Sequence, residues 1–146
     1  MKTVFYSGAL LSAVLLAGCT PETSGGAVGV SMDAARSATT AEELVALGAH
    51  RLSEAEFRAE LVDVALGEGT WTWTIHSNGT HSSAANDGSW TDAGGTWRLV
   101  NGEYCRAVKA KGNAETCSAA YRLGDVYRFT DSGDSGKLAT WWVTRG

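Results

Sequence analysis

The 146-residue sequence predicts a mainly β fold, an antiparallel meander curled into a small barrel or half-barrel and preceded by two short α-helices. Three observations predict it. From Gly69 onward the residues alternate with the period of a strand. Turn pairs interrupt the alternation about every eight to twelve residues, as in a meander of short strands. Six tryptophans supply the large apolar area that a single small core needs.

The first helix is opened by Thr40, with Glu43 three residues on, carries Leu44 and Leu47, and ends at Gly48. The second opens on a capping box of Ser53 and Glu56, repeats Phe57, Leu61 and Val64 at helical spacing, and stops at Gly67, so that helices occupy about 40–66. The meander then runs from about 69 to 146, with strands expected near 70–77, 80–85, 95–100, 103–109, 115–123, 126–131 and 137–145. The pivots between them are Asn78-Gly79, Asn101-Gly102, Gly124-Asp125 and the stretch Ser132 to Gly136. Gly69-Thr70-Trp71, Gly88-Ser89-Trp90 and Gly95-Thr96-Trp97 share a Gly-x-Trp form without a constant period, which reads as one hairpin grammar used three times.

Alternation also assigns faces. Trp71, Trp73 and Ile75 share one face of their strand and should be core, with Thr72, Thr74 and His76 on the other. Trp141 and Trp142 are adjacent, so their rings point to opposite faces; one of the two is expected to be exposed or to line a cavity, as a candidate ligand-binding ring, or else to lie half-buried under the N-terminal helices.

The first residues form a short basic start, Met1-Lys2, an apolar run from Val4 to Leu16, and the tetrad Leu16-Ala17-Gly18-Cys19, the architecture of an export signal. The apolar run is too short to span a bilayer comfortably. The tetrad resembles the lipobox of bacterial lipoproteins. That resemblance implies a lipoprotein signal peptide over 1–18 and a lipidated Cys19 as first mature residue, and Thr20 in place of an aspartate points to the outer membrane, facing the periplasm. Residues 19–39 have the Gly, Ser, Thr and Ala composition of a flexible tether, averaging about 25 Å. One globular domain, 40–146, is left.

Three cysteines in an exported chain leave one unpaired, and lipidation of Cys19 would use it. Cys105 and Cys117 remain for a disulfide around the polar stretch "KAKGNAE", worth about 3 kcal/mol for a loop of this size. They lack the C-x-x-C spacing of a redox or metal pair. The net charge of −4 becomes about −5 by side-chain count once Lys2 leaves with the signal. No basic run is present to hold nucleic acid, and Arg98, Arg106, Arg122 and Arg128 are spread through the strands as a solvated β surface would have them.

Candidate chemistry is sparse. His76 and His81 flank Asn78-Gly79. A two-residue turn would set them opposite each other as half a metal site, whereas a three-residue loop would put His81 opposite Ile75 on the other face. Even the first arrangement needs further ligands, for which Asp87 or Asp92 would have to fold back; His50 lies outside the strands. Gly133-Asp134-Ser135-Gly136 resembles the nucleophile motif of chymotrypsin-type serine proteases. The likeness covers four residues, in a chain with neither the length for two barrels nor that family's histidine motif, and the segment reads as a turn. Asp125, Asp131 and Asp134 occupy turn positions and form no acidic pair for glycoside cleavage. No catalytic residues are assigned and no cofactor is expected.

The run "GTWRLVNGEYC", the later "ETC" and "YRLGDVYRF", with the helix "SEAEFRAELV" before the sheet, is similar to a group of small exported bacterial proteins classed as domains of unknown function. The resemblance covers about residues 69 to 131, implies the same fold and an envelope location, and implies no activity. The expected function is a non-catalytic binding or structural module, anchored to the membrane through Cys19 and holding an envelope protein or small envelope ligand in the concave sheet or on Trp141 or Trp142. The alternatives are a metal-dependent protein using His76 and His81, and an inhibitor of an envelope hydrolase.

Overall fold

The structure, a computed structural model, describes residues 32–131 and 134–146. The expected signal peptide, Cys19, the first part of the tether, Ser132, and Gly133 of the protease-like motif lie outside the described residues.

Three helices precede and flank the sheet: α1 (Met32–Ser37), α2 (Ala41–Ala46) and α3 (Glu54–Leu61). Both expected capping boxes are formed. The Thr40 and Ser53 hydroxyls accept from the backbone N–H of Glu43 and Glu56, and those carboxylates accept in return from the cap residues' backbone N–H. α1 falls in the stretch expected to be tether. Its Ala35 and neighbouring Ala38 are buried, and small alanines let a helix lie close to a sheet without the large apolar period that would announce it. α3 stops at Leu61 and does not reach Gly67. Val62 is already extended and bridges Ile75 in parallel, and Asp63, at φ +58°, donates its N–H to the Ile75 carbonyl, so the chain turns into the sheet.

Ten strands form one sheet: β1 (His50–Arg51), β2 (Ala65–Gly67), β3 (Trp71–Ile75), β4 (Thr80–Ala85), β5 (Thr91–Val100), β6 (Glu103–Val108), β7 (Glu115–Ser118), β8 (Ala120–Leu123), β9 (Val126–Asp131) and β10 (Asp134–Arg145). Their order is β1-β8-β9-β10-β2-β3-β4-β5-β6-β7, and every ladder is antiparallel. All seven expected strands are present. β1 and β2 are additional, β5 begins at Thr91, and the expected strand 115–123 is two strands joined through Ala119. That join shapes the molecule. β7 pairs with β6 at one end of the order and β8 with β9 near the other, so a single backbone segment brings the two ends of the sheet together.

The core follows from this curl. Leu66, Trp73, Ile75, Trp97, Tyr104, Ala120, Tyr127, Phe129 and Val143 come from seven strands into one cluster, which a flat sheet could not assemble. α3 adds Phe57 and Leu61 and is tied down by Glu60, which accepts from Arg122 Nη1 at 3.0 Å and the Tyr127 hydroxyl at 2.9 Å. The aromatic rings meet at centroid distances of 4.9–6.1 Å, geometries worth about 0.5–1.5 kcal/mol per pair beyond burial. On the outer face α1 and α2 pack Ala35, Ala38 and Leu44 against Val126 and Leu138. Arg128, expected on a solvated surface, is 2% exposed there. Its guanidinium donates to the carbonyls of Ala35 (2.8 Å), Arg36 (2.7 Å) and Ala139 (2.9 Å), where a cation suits the C-terminal end of α1.

The disulfide Cys105–Cys117 is formed, and its cysteines are direct cross-strand partners in the β6–β7 ladder, 3.9 Å apart at Cα. Among the described residues no helix is long and apolar enough to cross a membrane.

Candidate functional site

The hairpin register separates the two histidines. His76 N–H donates to the Thr80 carbonyl and Gly79 N–H to the His76 carbonyl, so Ser77, Asn78 and Gly79 form a three-residue loop with Gly79 left-handed at φ +84°. His81 therefore pairs with Ile75 and points into the core, while His76 shares a hydrogen bond of 2.9 Å with the Ser82 hydroxyl on the outer face. The half-site that would have joined His76 and His81 is not assembled. The register is held from the next strand, since Trp97 donates through its ring to the His76 carbonyl at 2.8 Å and through its backbone to the Gly79 carbonyl at 2.9 Å. Among the described residues the one cluster close enough to share a metal is Cys105, Glu115 and Cys117, and two of its donors are already bonded to each other.

The adjacent tryptophans divide as alternation requires. Trp142 lies outside, half-buried beneath α1, with the Arg36 guanidinium 4.2 Å from its ring centroid. Trp141 lies inside, stacked on Phe129 at 4.9 Å and edge-on to Trp73 at 5.7 Å. Its remaining surface faces a cavity of about 310 Å³ lined by Glu68, Trp71, Trp73, Ser83, Trp90, Arg106 and Trp141.

Each element has a distinct part in that cavity. β3 supplies Trp71 and Trp73 from its core face, while its far end, at Ile75, meets the segment leaving α3. α3 thus occupies the end of the curl away from Trp71, and the cavity lies toward the β2–β3 and β4–β5 turns. The second turn sets Trp90 at the rim: Asp87 accepts from Ser89 N–H at 2.9 Å, and the Trp90 carbonyl accepts from Ala85 N–H at 3.0 Å. Trp90 is 46% exposed, whereas Trp73 is 2% exposed. Trp71 donates its ring N–H to Glu68 at 2.9 Å, which orients that ring and partly satisfies the carboxylate.

Arg106 is the polar centre. It faces inward because it stands two residues after Tyr104, whose ring is in the core, and its guanidinium carbon is 5.9 Å from the centroids of both Trp73 and Trp141. Its strand is clamped by the disulfide at the preceding residue. The other partly or fully buried arginines have oxygen partners: Arg36 has Asp33, Arg122 has Glu60, and Arg128 has three carbonyls. Among the described residues Arg106 has neither a carboxylate nor a carbonyl bonded to it. Among the described residues five buried polar atoms are likewise unpartnered: Trp73 Nε1, the Tyr104 hydroxyl, His81 Nε2 and the Nε atoms of Arg36 and Arg128, whose terminal nitrogens are the ones partnered. Burial pushes the Tyr104 phenol upward, and burial followed by the Arg106 charge pushes His81 downward, so both are neutral at neutral pH.

Chemically the cavity offers flat apolar walls, a free guanidinium and an unused ring N–H, with no nucleophile and base in contact. Sequence reasoning placed Trp141 on its candidate list and marked Trp90 through the Gly-x-Trp form. It missed Glu68 and Ser83, and it placed Arg106 on the surface. The signal that could have found Arg106 is its two-residue spacing from Tyr104, which puts both on one face. No protein-family model matches the chain, and neither a curated protein nor a solved structure matches it significantly.

Proposed function

We propose that this chain is a non-catalytic small-ligand binding module of the bacterial envelope, held at the membrane by lipid on Cys19. The observation that carries the binding reading is the cavity among Trp71, Trp73, Trp90 and Trp141. A water-facing concavity walled by large aromatic rings, with few polar groups set among them, is what small-ligand sites need: area for burial and a few groups for orientation. Its volume of about 310 Å³ suits a compact molecule. The envelope part of the reading is supported by the lipobox-like Leu16-Ala17-Gly18-Cys19, and Thr20 favours the outer membrane.

Two measurements test it. An extract of envelope small molecules should change the tryptophan emission of the exported chain. Trp90→Ala, at an exposed rim position, should weaken that response several-fold and leave the free energy of unfolding within about 0.5 kcal/mol of wild type. A response untouched by Trp90→Ala would move the ligand elsewhere. Separately, Cys19→Ser should abolish fatty-acid labelling and release the chain from the membrane fraction. A labelled or still membrane-bound Cys19→Ser chain would end the anchor reading.

A further inference from the structure

We infer that the ligand of the tryptophan cavity is a small organic anion, a ring-bearing carboxylate whose flat body lies among Trp71, Trp73, Trp90 and Trp141 and whose carboxylate bonds Arg106. The inference rests on the binding reading above and adds the ligand's charge and shape.

It follows from what the cavity leaves unsatisfied. A guanidinium with five donors sits at partial burial, 5.9 Å from two indole rings, without an oxygen partner among the described residues. The other arginines that are not exposed have found acceptors inside the fold, which makes Arg106 the exception. Trp73, 98% buried by its 2% exposure, lines the same cavity with a ring N–H that has no acceptor. Ser83 adds a hydroxyl. The surplus is therefore one of donors and positive charge, and a carboxylate fits a guanidinium by two parallel hydrogen bonds. Glu68, the one acid at the cavity, already accepts from Trp71 and forms no ion pair with Arg106. An aromatic cage for a cation would omit the arginine, and a purely apolar ligand would leave it unpaired. The indole faces need a flat body to cover them, so a bare inorganic anion fills only part of the site.

The six tryptophans make the test local. Four ring N–H groups belong to the cavity, and Trp97 is the cross-strand partner of Arg106, whereas Trp142 lies on the outer face under α1 and serves as the internal control. The disulfide-intact exported chain is titrated with 3-phenylpropionate, its neutral amide and the matching amine, and with glucuronate as a sugar-ring acid, while the indole N–H signals are followed by NMR. The expected result is that 3-phenylpropionate shifts the Trp71, Trp73, Trp90 and Trp141 signals and binds about tenfold tighter than the amide, with the amine weakest. Arg106→Gln should erase the acid-over-amide preference, with the loss falling chiefly on the acid, and Arg106→Lys should restore part of it. An unmoved Trp142 signal and a dispersed set of the remaining indole signals show that each variant is folded.

Tighter binding of glucuronate than 3-phenylpropionate would identify the ring as a sugar and keep the anion. Equal binding of acid and amide would overturn the anion and leave the binding cavity standing. If none of the four probes moves the cavity signals of a folded chain, the anion proposal and the cavity reading both fall.

Discussion

His81 is a residue whose ionisation the fold opposes. Its ring is 3% exposed, opposite Ile75. Burial is the main cause of its lowered pKa, the Arg106 charge the next, while Asp92 and a hydrogen bond with the Ala107 backbone oppose the shift. The sign of the consequence is fixed. In the unfolded chain the imidazole takes up a proton near 6.5, whereas the native chain takes it up only at lower pH, so acidification below 6.5 favours unfolding. The carboxylates of Glu43, Glu56, Asp63 and Asp87 also have lowered values, but their ordinary values are 4.5 or 3.8, and their contribution is lost only further down. The thermal midpoint should therefore fall between pH 6.5 and pH 4.5. His81→Asn, which keeps a donor for Ala107 and cannot charge, should flatten that slope. A variant with the wild-type slope would assign it to another group.

Among the elements, β5 is the strand with the least room for change. Its ladder with β4 shifts register between His81 and Ser83, and Gly94 sits in that irregular stretch at φ +67°. A Cβ there would strike the His81 carbonyl and come within 2.8 Å of His81 Nδ1. Gly94→Ala should cost on the order of 2–4 kcal/mol by denaturant titration, strain and overlap together. Gly88→Ala, at φ +75° with nothing within 4 Å, carries the strain alone and should cost about 1–2 kcal/mol. Equal costs would show that the close approach is relieved. The same elements mark what could be read from the residues. The two capping boxes, the Trp71, Trp73 and Ile75 face and the cysteine pair were legible, because each depends on neighbours within a few positions or on simple pairing. The hairpin register was not, because Asn-Gly suits two turns. At Asn101-Gly102, where both residues have positive φ, the two-residue turn forms, while at Asn78-Gly79 bonds from Trp97 accompany the longer loop. β1 and β2 have two and three residues, too few to show a period, and the Arg106 site exists only once distant strands converge.

For the molecule as a whole, the cystine joins β6 to β7 within twelve residues, and β7 continues into the segment that unites the ends of the sheet. Cys105→Ser with Cys117→Ser should lower stability by about 3 kcal/mol, read from the shift in denaturant midpoint, and loosen Arg106 beside it. A shift under about 0.5 kcal/mol would mean that the ladder holds without the bond. β2 carries a different consequence. It pairs with β3 a few residues away on one side, but on the other its partner is β10, where Thr144 reaches the Gly67 carbonyl across 77 positions. The successive hairpins from β3 to β7 can form as soon as each is made, whereas β2 keeps one edge bare until the last strand arrives. Closure is thus a late event imposed by connectivity. A chain made from its N-terminus keeps that edge open until its last residues are available, and one shortened by its final few residues would retain a sticky strand edge and aggregate.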